Sequence, residues 1–179
     1  MNAKKTPQGF TVVELMIVLV VAVILVLLAA PSFRSMQDRQ RVKSAGSNLN
    51  VDIQYARSEA VRKNAEVTVS LSAGTTPWCY GVVEGSAACD CTTAGSCGLK
   101  TVSGADFRGV SMALTGGNGF TINPRQGQVA AVAGGGSGAV TAAVTFTGTT
   151  GAQLQSQINS LGRVLQCAPG GTLSGYPSC

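Results

Sequence analysis

Cysteine is the residue type in this 179-residue chain with the clearest capacity for chemistry. Six cysteines occur, all beyond the apolar N-terminal segment, and the chain has no histidine. An even cysteine count in that position is typical of disulfides in an oxidising compartment. A zinc site fits less well, because Cys89, Cys91 and Cys97 lack the paired two-residue spacing of common zinc modules. We therefore expect disulfides and no metal, formed among Cys79, Cys89, Cys91, Cys97, Cys167 and Cys179.

The spacing of the cysteines narrows their pairing only in part. Cys167 and Cys179 would close a short loop rich in proline and glycine, and they are the pair that we expect first. Cys79 with one of Cys89, Cys91 or Cys97 comes next. Six cysteines allow fifteen pairings, and the sequence does not choose among them.

The remaining reactive residue types do not form an enzyme-like constellation. With no histidine, neither a serine nor a cysteine nucleophile has an obvious base, and no serine lies in a Gly-x-Ser-x-Gly elbow. The carboxylates are scattered rather than paired for acid–base work. We expect a protein without enzymatic activity and without a cofactor.

Glu14 is the most informative residue, because it stands alone in an apolar run. Residues 10–30 read FTVVELMIVLVVAVILVLLAA, which as a helix of about 1.5 Å per residue would be close to a bilayer's hydrocarbon thickness. A carboxylate inside such a helix is costly and normally has a partner, and the run contains no Lys or Arg. A cut between Gly9 and Phe10 would create an α-amino group one helical turn from Glu14.

Two simpler interpretations of the apolar run are a plain membrane anchor and a cleaved secretory signal. A secretory signal is cut after its apolar run at a pair of small residues. There the candidate is Ala30, but Leu28 is a poor partner for it and Pro31 follows directly. The better processing site precedes the run, next to Lys4 and Lys5. Those lysines favour a cytoplasmic N-terminus.

Residues 9–15 read GFTVVEL, and the apolar run and Pro31 follow. This motif resembles the N-terminus of the type IV pilin and type II secretion pseudopilin superfamily. The resemblance implies that a membrane prepilin peptidase cuts between Gly9 and Phe10 and N-methylates Phe10. It also implies that Glu14 is the carboxylate that sets the register during assembly, and that Pro31 kinks the helix.

The resemblance also implies a location and partners. The chain would be a single-pass protein of the bacterial inner membrane, with a cytoplasmic leader and a periplasmic head. It would later enter a pilus or pseudopilus, at its tip. Its partners would be the prepilin peptidase and other major and minor pilins or pseudopilins.

Past Pro31 the chain becomes polar but keeps a helical pattern. An apolar stripe recurs at steps of three and four up to Lys63, and we expect it to pack on the chain's own sheet. It consists of Val42, Ala45, Leu49, Ile53, Ala56 and Ala60. The opposite face should contact solvent or neighbouring subunits, and it carries Arg39, Lys43, Asp52, Arg57 and Arg62.

Short strands and glycine-rich turns are expected beyond residue 63, in a segment that we call the head. The strand-like segments are 67–71, 78–83, 110–114, 120–122, 140–146 and 161–166, with a disulfide-stapled loop at 84–98. Residues 134–138, GGGSG, should form a flexible hairpin tip. Beyond residue 63 four basic residues balance four acidic ones, so the formal net charge of +5 does not indicate a nucleic-acid surface.

Three stretches of the chain resemble the GspH/FimT family of minor pilins and pseudopilins. They are ARSEAV at 56–61, FTINPRQG at 120–127 and GRV at 162–164. The implied fold class is α+β, a long N-terminal helix packed on a small antiparallel β-sandwich-like head, as in the type IV pilin fold. The implied segments are a leader (1–9), a hydrophobic transmembrane half-helix (10–33), an amphipathic half-helix (34–63) and the head (64–179).

The function expected from this resemblance is assembly. The chain would be a minor subunit that initiates or caps a type IV pilus or a type II secretion pseudopilus, and the sequence does not distinguish the two machines. The alternative is DNA capture during natural transformation, through a C-terminal Gly-Arg-x-Arg motif of some FimT-type proteins. Here Gly162-Arg163-Val164-Leu165 lacks the second arginine, so Arg163 is the candidate DNA contact.

Overall fold

The structure is a computed structural model that describes residues 9–73, 77–131 and 140–179, without the side chains of 28–31, 131, 140 and 141. The hairpin tip expected at 134–138 and the leader lysines Lys4 and Lys5 lie outside the described residues. The chain divides into two compact units, Met1–Gln37 and Asp38–Cys179.

A single helix, α1, runs over Val12–Lys63. Its helical assignment continues through Pro31, whose side chain is not described, so the expected kink stays a prediction. Asn64 ends the helix in the left-handed conformation, with a φ of 49°. The N–H of Ala65 donates to the carbonyl of Ala60 at 3.2 Å and that of Asn64 to Val61 at 3.3 Å, the hydrogen bonds of a Schellman cap.

In the described residues of the C-terminal unit the strands form two sheets. They are β1 (Val67–Ser72), β2 (Cys79–Glu84), β3 (Lys100–Ser103), β4 (Ser111–Thr115), β5 (Gly119–Ile122), β6 (Val129–Ala131), β7 (Val140–Thr147), β8 (Gln153–Asn159) and β9 (Val164–Cys167). One sheet has the order β3-β2-β1-β5-β6 and the other β4-β7-β8-β9. The ladders between these strands are antiparallel. The α+β expectation is confirmed.

Strands β3, β6 and β8 were not predicted from the sequence. β8 alternates in burial, but its half-buried positions include Gln153, Gln155 and Gln157, and Ser156 is among its buried ones. A buried serine hides the period-two hydrophobic signal of a strand. The last strand begins at Val164 rather than at residue 161, because Gly162 forms a turn with a φ of 70°.

The apolar stripe of α1 packs into the head as predicted. All six of its residues are buried, and they share one core cluster with residues of both sheets, including Tyr80, Phe120, Phe146 and Leu154. Three of the six are alanines, and such small side chains let the helix backbone approach the strands closely.

One residue of the opposite face does not contact solvent as predicted. Asp52 is buried, accepting hydrogen bonds from the hydroxyl of Tyr80 at 2.8 Å and from the Lys100 Nζ at 2.5 Å. Burial raises the pKa of Tyr80, and the hydrogen bond to Asp52 and the charge of that residue raise it further. Arg57 is half-buried. Lys43 is half-buried as well. The prediction was wrong for Asp52, because the sheets reach further around α1 than its apolar stripe.

The six cysteines form three disulfides. Cys79–Cys91 and Cys89–Cys97 interleave and hold the loop between β2 and β3, whereas Cys167–Cys179 ties the C-terminus to β9. The sequence had suggested the last pair first, and for Cys79 a partner among three cysteines. Gly81 of β2 leaves no room for a Cβ beside the Cys97 sulfur, so the staple lies directly on the strand.

Asp38 is the first residue of the unit Asp38–Cys179, and it connects α1 to the turn between β7 and β8. Its carboxylate is 3% exposed and accepts four hydrogen bonds, from the N–H and the hydroxyl of Thr149 and of Thr150, at 2.6 to 3.0 Å. Burial by itself raises the pKa of Asp38, but these four hydrogen bonds outweigh it and the pKa is lowered overall.

We expect Asp38→Asn to lower the free energy of unfolding at pH 7 by about 1–3 kcal/mol, because it removes the charge that four donors surround. A lowered folded-state pKa stabilises the fold above the unfolded-state value of about 3.9, and this contribution is lost as the pH falls below it. The difference between wild type and variant should therefore shrink below about pH 4. Urea unfolding of the full chain in an uncharged detergent measures it.

The matched control is Asp106→Asn, because Asp106 is exposed and its side chain makes no hydrogen bond in the described residues. The free energy of unfolding of Asp106→Asn should equal that of the wild type at pH 7 and at pH 3. An Asp38→Asn difference of equal size at pH 7 and pH 3 would contradict the role of the charge.

Candidate functional site

The N-terminal motif forms the start of α1. Gly9 and Phe10 precede the helix, and the Phe10 side chain is 82% exposed. The Thr11 hydroxyl accepts a hydrogen bond from the N–H of Glu14 at 3.2 Å, which makes Thr11 the N-cap. Glu14 therefore lies in the first helical turn, where the helix dipole favours a negative charge.

The Thr11 cap was missed in the sequence analysis, although Thr11-Val12-Val13-Glu14 has the spacing of a capping box. The cap uses only the backbone N–H of Glu14, which any residue would supply, so it does not explain the carboxylate. The Glu14 carboxylate itself has no hydrogen-bond or ion-pair partner among the described residues. In an apolar environment a carboxylate normally needs a partner.

The apolar half of α1 presents its side chains outward on every side. Its large hydrophobic residues from Val12 to Leu27 are 49–73% exposed. The most apolar window of the helix has a mean hydropathy of 3.3, so its length and composition suffice to cross a membrane.

A second functional feature lies in the C-terminal unit, around the guanidinium of Arg57. Its Nη2 donates to the carbonyls of Gly127 at 3.3 Å, Leu161 at 3.1 Å and Gly162 at 2.8 Å. The first carbonyl belongs to the turn between β5 and β6, and the other two belong to the turn between β8 and β9. The Val129 N–H donates to the Ser160 carbonyl at 2.8 Å and joins the two turns directly.

Arg57 thus connects the three stretches that looked family-like in the sequence, 56–61, 120–127 and 162–164. Gly162 has no room for a Cβ beside the Arg57 guanidinium, and its φ of 70° favours glycine independently. The sequence analysis missed this contact because the acceptors are backbone carbonyls. Every residue has one, so residue type does not identify the acceptors.

A groove of about 660 Å³ opens beside Arg57, between α1 and the β8–β9 hairpin. Arg163 lines the groove and is exposed. The other lining residues besides Arg57 are Gln54, Gln157, Asn159, Val164 and Leu165. Leu165 stands where the Gly-Arg-x-Arg pattern has its second arginine. No cluster of three or more His, Cys, Asp or Glu side chains suited to a metal occurs within the described part of the chain.

A family model described as "Type II transport protein GspH" matches residues 45–162, well over half of the chain. The chain belongs to this family. A second model, described as "Prokaryotic N-terminal methylation motif", matches residues 4–30. Together the two matches confirm the predicted membership among GspH/FimT-type pilins and pseudopilins. They imply processing by a prepilin peptidase and association with other pilins.

Other comparisons add little to the GspH assignment. The crystal structure of the type IV minor pilin FimU from Pseudomonas aeruginosa aligns with 77% of this chain and 99% of that one, at 18% identity and a TM-score of 0.48. That likeness is too weak to carry a functional argument. No curated protein matches the chain significantly. The apolar helix and the methylation motif fit an inner-membrane-anchored pilin.

The GspH match covers Arg57 and the three residues whose carbonyls bind it, but it ends at residue 162 and does not include Arg163. The residues that form the Arg57 contacts therefore all lie within the matched segment and within the unit Asp38–Cys179. The N-terminal positions Gly9, Phe10 and Glu14 fall in the methylation-motif match instead.

We expect Arg57→Ala to destabilise this GspH family member by about 3 kcal/mol, since it leaves three carbonyls at half-buried turns without their charged donor. Denaturant unfolding of the full chain in an uncharged detergent measures the loss. Arg39→Ala is the matched control, because Arg39 is an exposed arginine of α1 whose side chain makes no hydrogen bond in the described residues. Equal unfolding midpoints for the two variants would contradict the structural role of Arg57.

Proposed function

We propose that this chain is a minor, low-abundance subunit that initiates or caps a type IV pilus or a type II secretion pseudopilus. The observation that carries the proposal is the contrast between the two parts of α1. The part within the C-terminal unit buries its apolar stripe against the head, whereas the large apolar residues of Val12–Leu27 are exposed on every side.

The first step of the proposed mechanism is removal of residues 1–9. Cleavage between Gly9 and Phe10 would free an α-amino group, and N-methylation leaves that group able to carry a positive charge. This amine is four residues before Glu14. The methylation-motif match over residues 4–30 supports this step.

The second step is transfer of α1 from the bilayer into the filament. Apolar burial does not drive this transfer, because lipid tails are as apolar as the leucines and valines that would replace them. The Glu14 carboxylate is different, since in lipid it is costly without a partner. A neighbouring subunit's Phe10 amine would pair with it, and only one axial register places the two groups together.

The proposed place at the start or end of the filament rests on the GspH family membership and on the head. Three disulfides hold one of its loops and its C-terminus. Such staples suit a domain that stays exposed outside the membrane. The identity of the neighbouring genes would assign the subunit to a pilus or to a secretion system.

Processing can be tested by intact mass. In cells with prepilin peptidase, the purified chain should lack the mass of residues 1–9 and carry one extra methyl group. In cells without the peptidase the full mass should remain. Identical masses in the two strains would refute the central step of the proposal.

The role of the carboxylate can be tested separately with Glu14→Gln. We expect this variant to remain in the membrane fraction while its recovery in sheared filaments falls at least about tenfold, because a neutral amide forgoes the ion pair with the amine. Glu66→Gln is the control, since Glu66 is an exposed head carboxylate. Equal filament recovery of both variants would show that Glu14 does not direct assembly.

A further inference from the structure

The groove beside the β8–β9 hairpin has a charge of one sign. Its lining contains the side chains of Arg57 and Arg163 and no carboxylate. Neither arginine is in a salt bridge in the described residues, where the ion pairs involve Arg62, Lys63 and Lys100 instead. The groove is therefore complementary to an anionic ligand.

The hydrogen-bonding groups left over in the groove are mostly donors. Asn159 uses its Oδ1 to accept from the N–H of Arg163 at 2.8 Å, so its amide N–H groups stay without a partner in the described residues. The Arg163 guanidinium and the Gln54 amide are likewise unpartnered there. Two free acceptors remain among the lining side chains. They are the Oε1 of Gln54 and the Oε1 of Gln157, whose Nε2 donates to Gln155 at 2.8 Å. A ligand rich in carbonyl or carboxylate oxygens fits this set.

Exposed apolar side chains stand beside these donors. Leu165 lines the groove and is 60% exposed, and Leu161, whose carbonyl accepts from Arg57, is 62% exposed. Leu165 therefore adds an exposed apolar surface to a groove whose other free groups are polar. The ligand should therefore have apolar groups beside its negative charge.

From these observations we propose that the groove binds an acidic peptide segment of another protein, in which carboxylates alternate with apolar side chains. Arg163 would bind a carboxylate, Asn159 and Gln54 would bind peptide carbonyls, and Leu165 would contact an apolar side chain. A volume of about 660 Å³ suits a few residues of peptide. This binding role is additional to filament assembly through α1.

A nucleic acid fits the same groove less well. Binding to a phosphate backbone draws its affinity from several lysines or arginines that each neutralise a phosphate. Here Arg57 already donates to three carbonyls, which leaves Arg163 as the lining residue with an uncommitted cation. The exposed leucines would also have no counterpart in a phosphate backbone.

The test uses the full chain in an uncharged detergent and fluorescence anisotropy of a labelled, terminally blocked Leu-Glu-Leu-Glu-Leu peptide. We expect saturable binding that weakens at least about tenfold in Arg163→Ala, a loss of the size of one charge-assisted hydrogen-bonded contact. Arg163→Lys should retain part of the affinity. Arg108→Ala is the matched control and should bind as the wild type does, because Arg108 is exposed but outside the groove.

Four results would overturn the proposal. Absence of peptide binding, or equal binding of the Leu-Gln-Leu-Gln-Leu peptide, would exclude recognition of the carboxylates. Equal weakening by Arg163→Ala and Arg108→Ala would show nonspecific charge attraction. Tighter, salt-sensitive binding of a duplex DNA that depends on Arg163 would assign the groove to nucleic acid. The intact mass and filament recovery of Arg163→Ala should stay as in the wild type, so failure here is distinguishable from failure of the assembly proposal.

Discussion

The arrangement of the β5–β6 and β8–β9 turns depends on the hydrogen bonds that they accept from the Arg57 guanidinium. From one face of α1 it donates to carbonyls of two turns that are otherwise distant in the chain. One of those turns connects β5 to β6, the edge strand of the five-stranded sheet. The other connects β8 to β9, the edge strand of the four-stranded sheet. A single side chain therefore relates the helix to both sheets. The β8–β9 turn also carries Arg163, so Arg57 helps to position a residue that lines the groove.

Two further polar contacts act on α1 in the same way. Asp38 is bound by Thr149 and Thr150, and Asp52 by Tyr80 and Lys100. The apolar stripe of valine, leucine, isoleucine and alanine supplies burial, but similar side chains one turn apart could exchange places at little cost. Buried polar groups cannot, because a shift would leave them without partners. Together the three contacts fix the register of the helix against the sheets.

The two parts of α1 have different solvation requirements. The part within Asp38–Cys179 forms a core with the head, so the apolar stripe of α1 is buried inside that unit. In the part before it, the large apolar side chains that the structure describes are exposed. A lipid bilayer and a bundle of similar helices are both apolar environments that would cover it. Membership of the GspH family and the methylation-motif match agree with a chain that passes from the first environment to the second.

Local patterns in the sequence determined the apolar segment with its lone Glu14, the buried stripe of α1, the use of cysteines for disulfides, and strands such as β1 and β7. Each of these depends on residue type and on a period of two or of about 3.6, which a sequence displays directly. Tertiary structure decided the rest, namely the burial of Asp52 and Arg57, the three disulfide pairs, strand β8 with its buried serine, and the groove around Arg163. The acceptors of Arg57 lie 70 to 105 residues further along the chain and are backbone carbonyls. No local pattern encodes such contacts, because they exist only once folding has brought distant turns to one side chain.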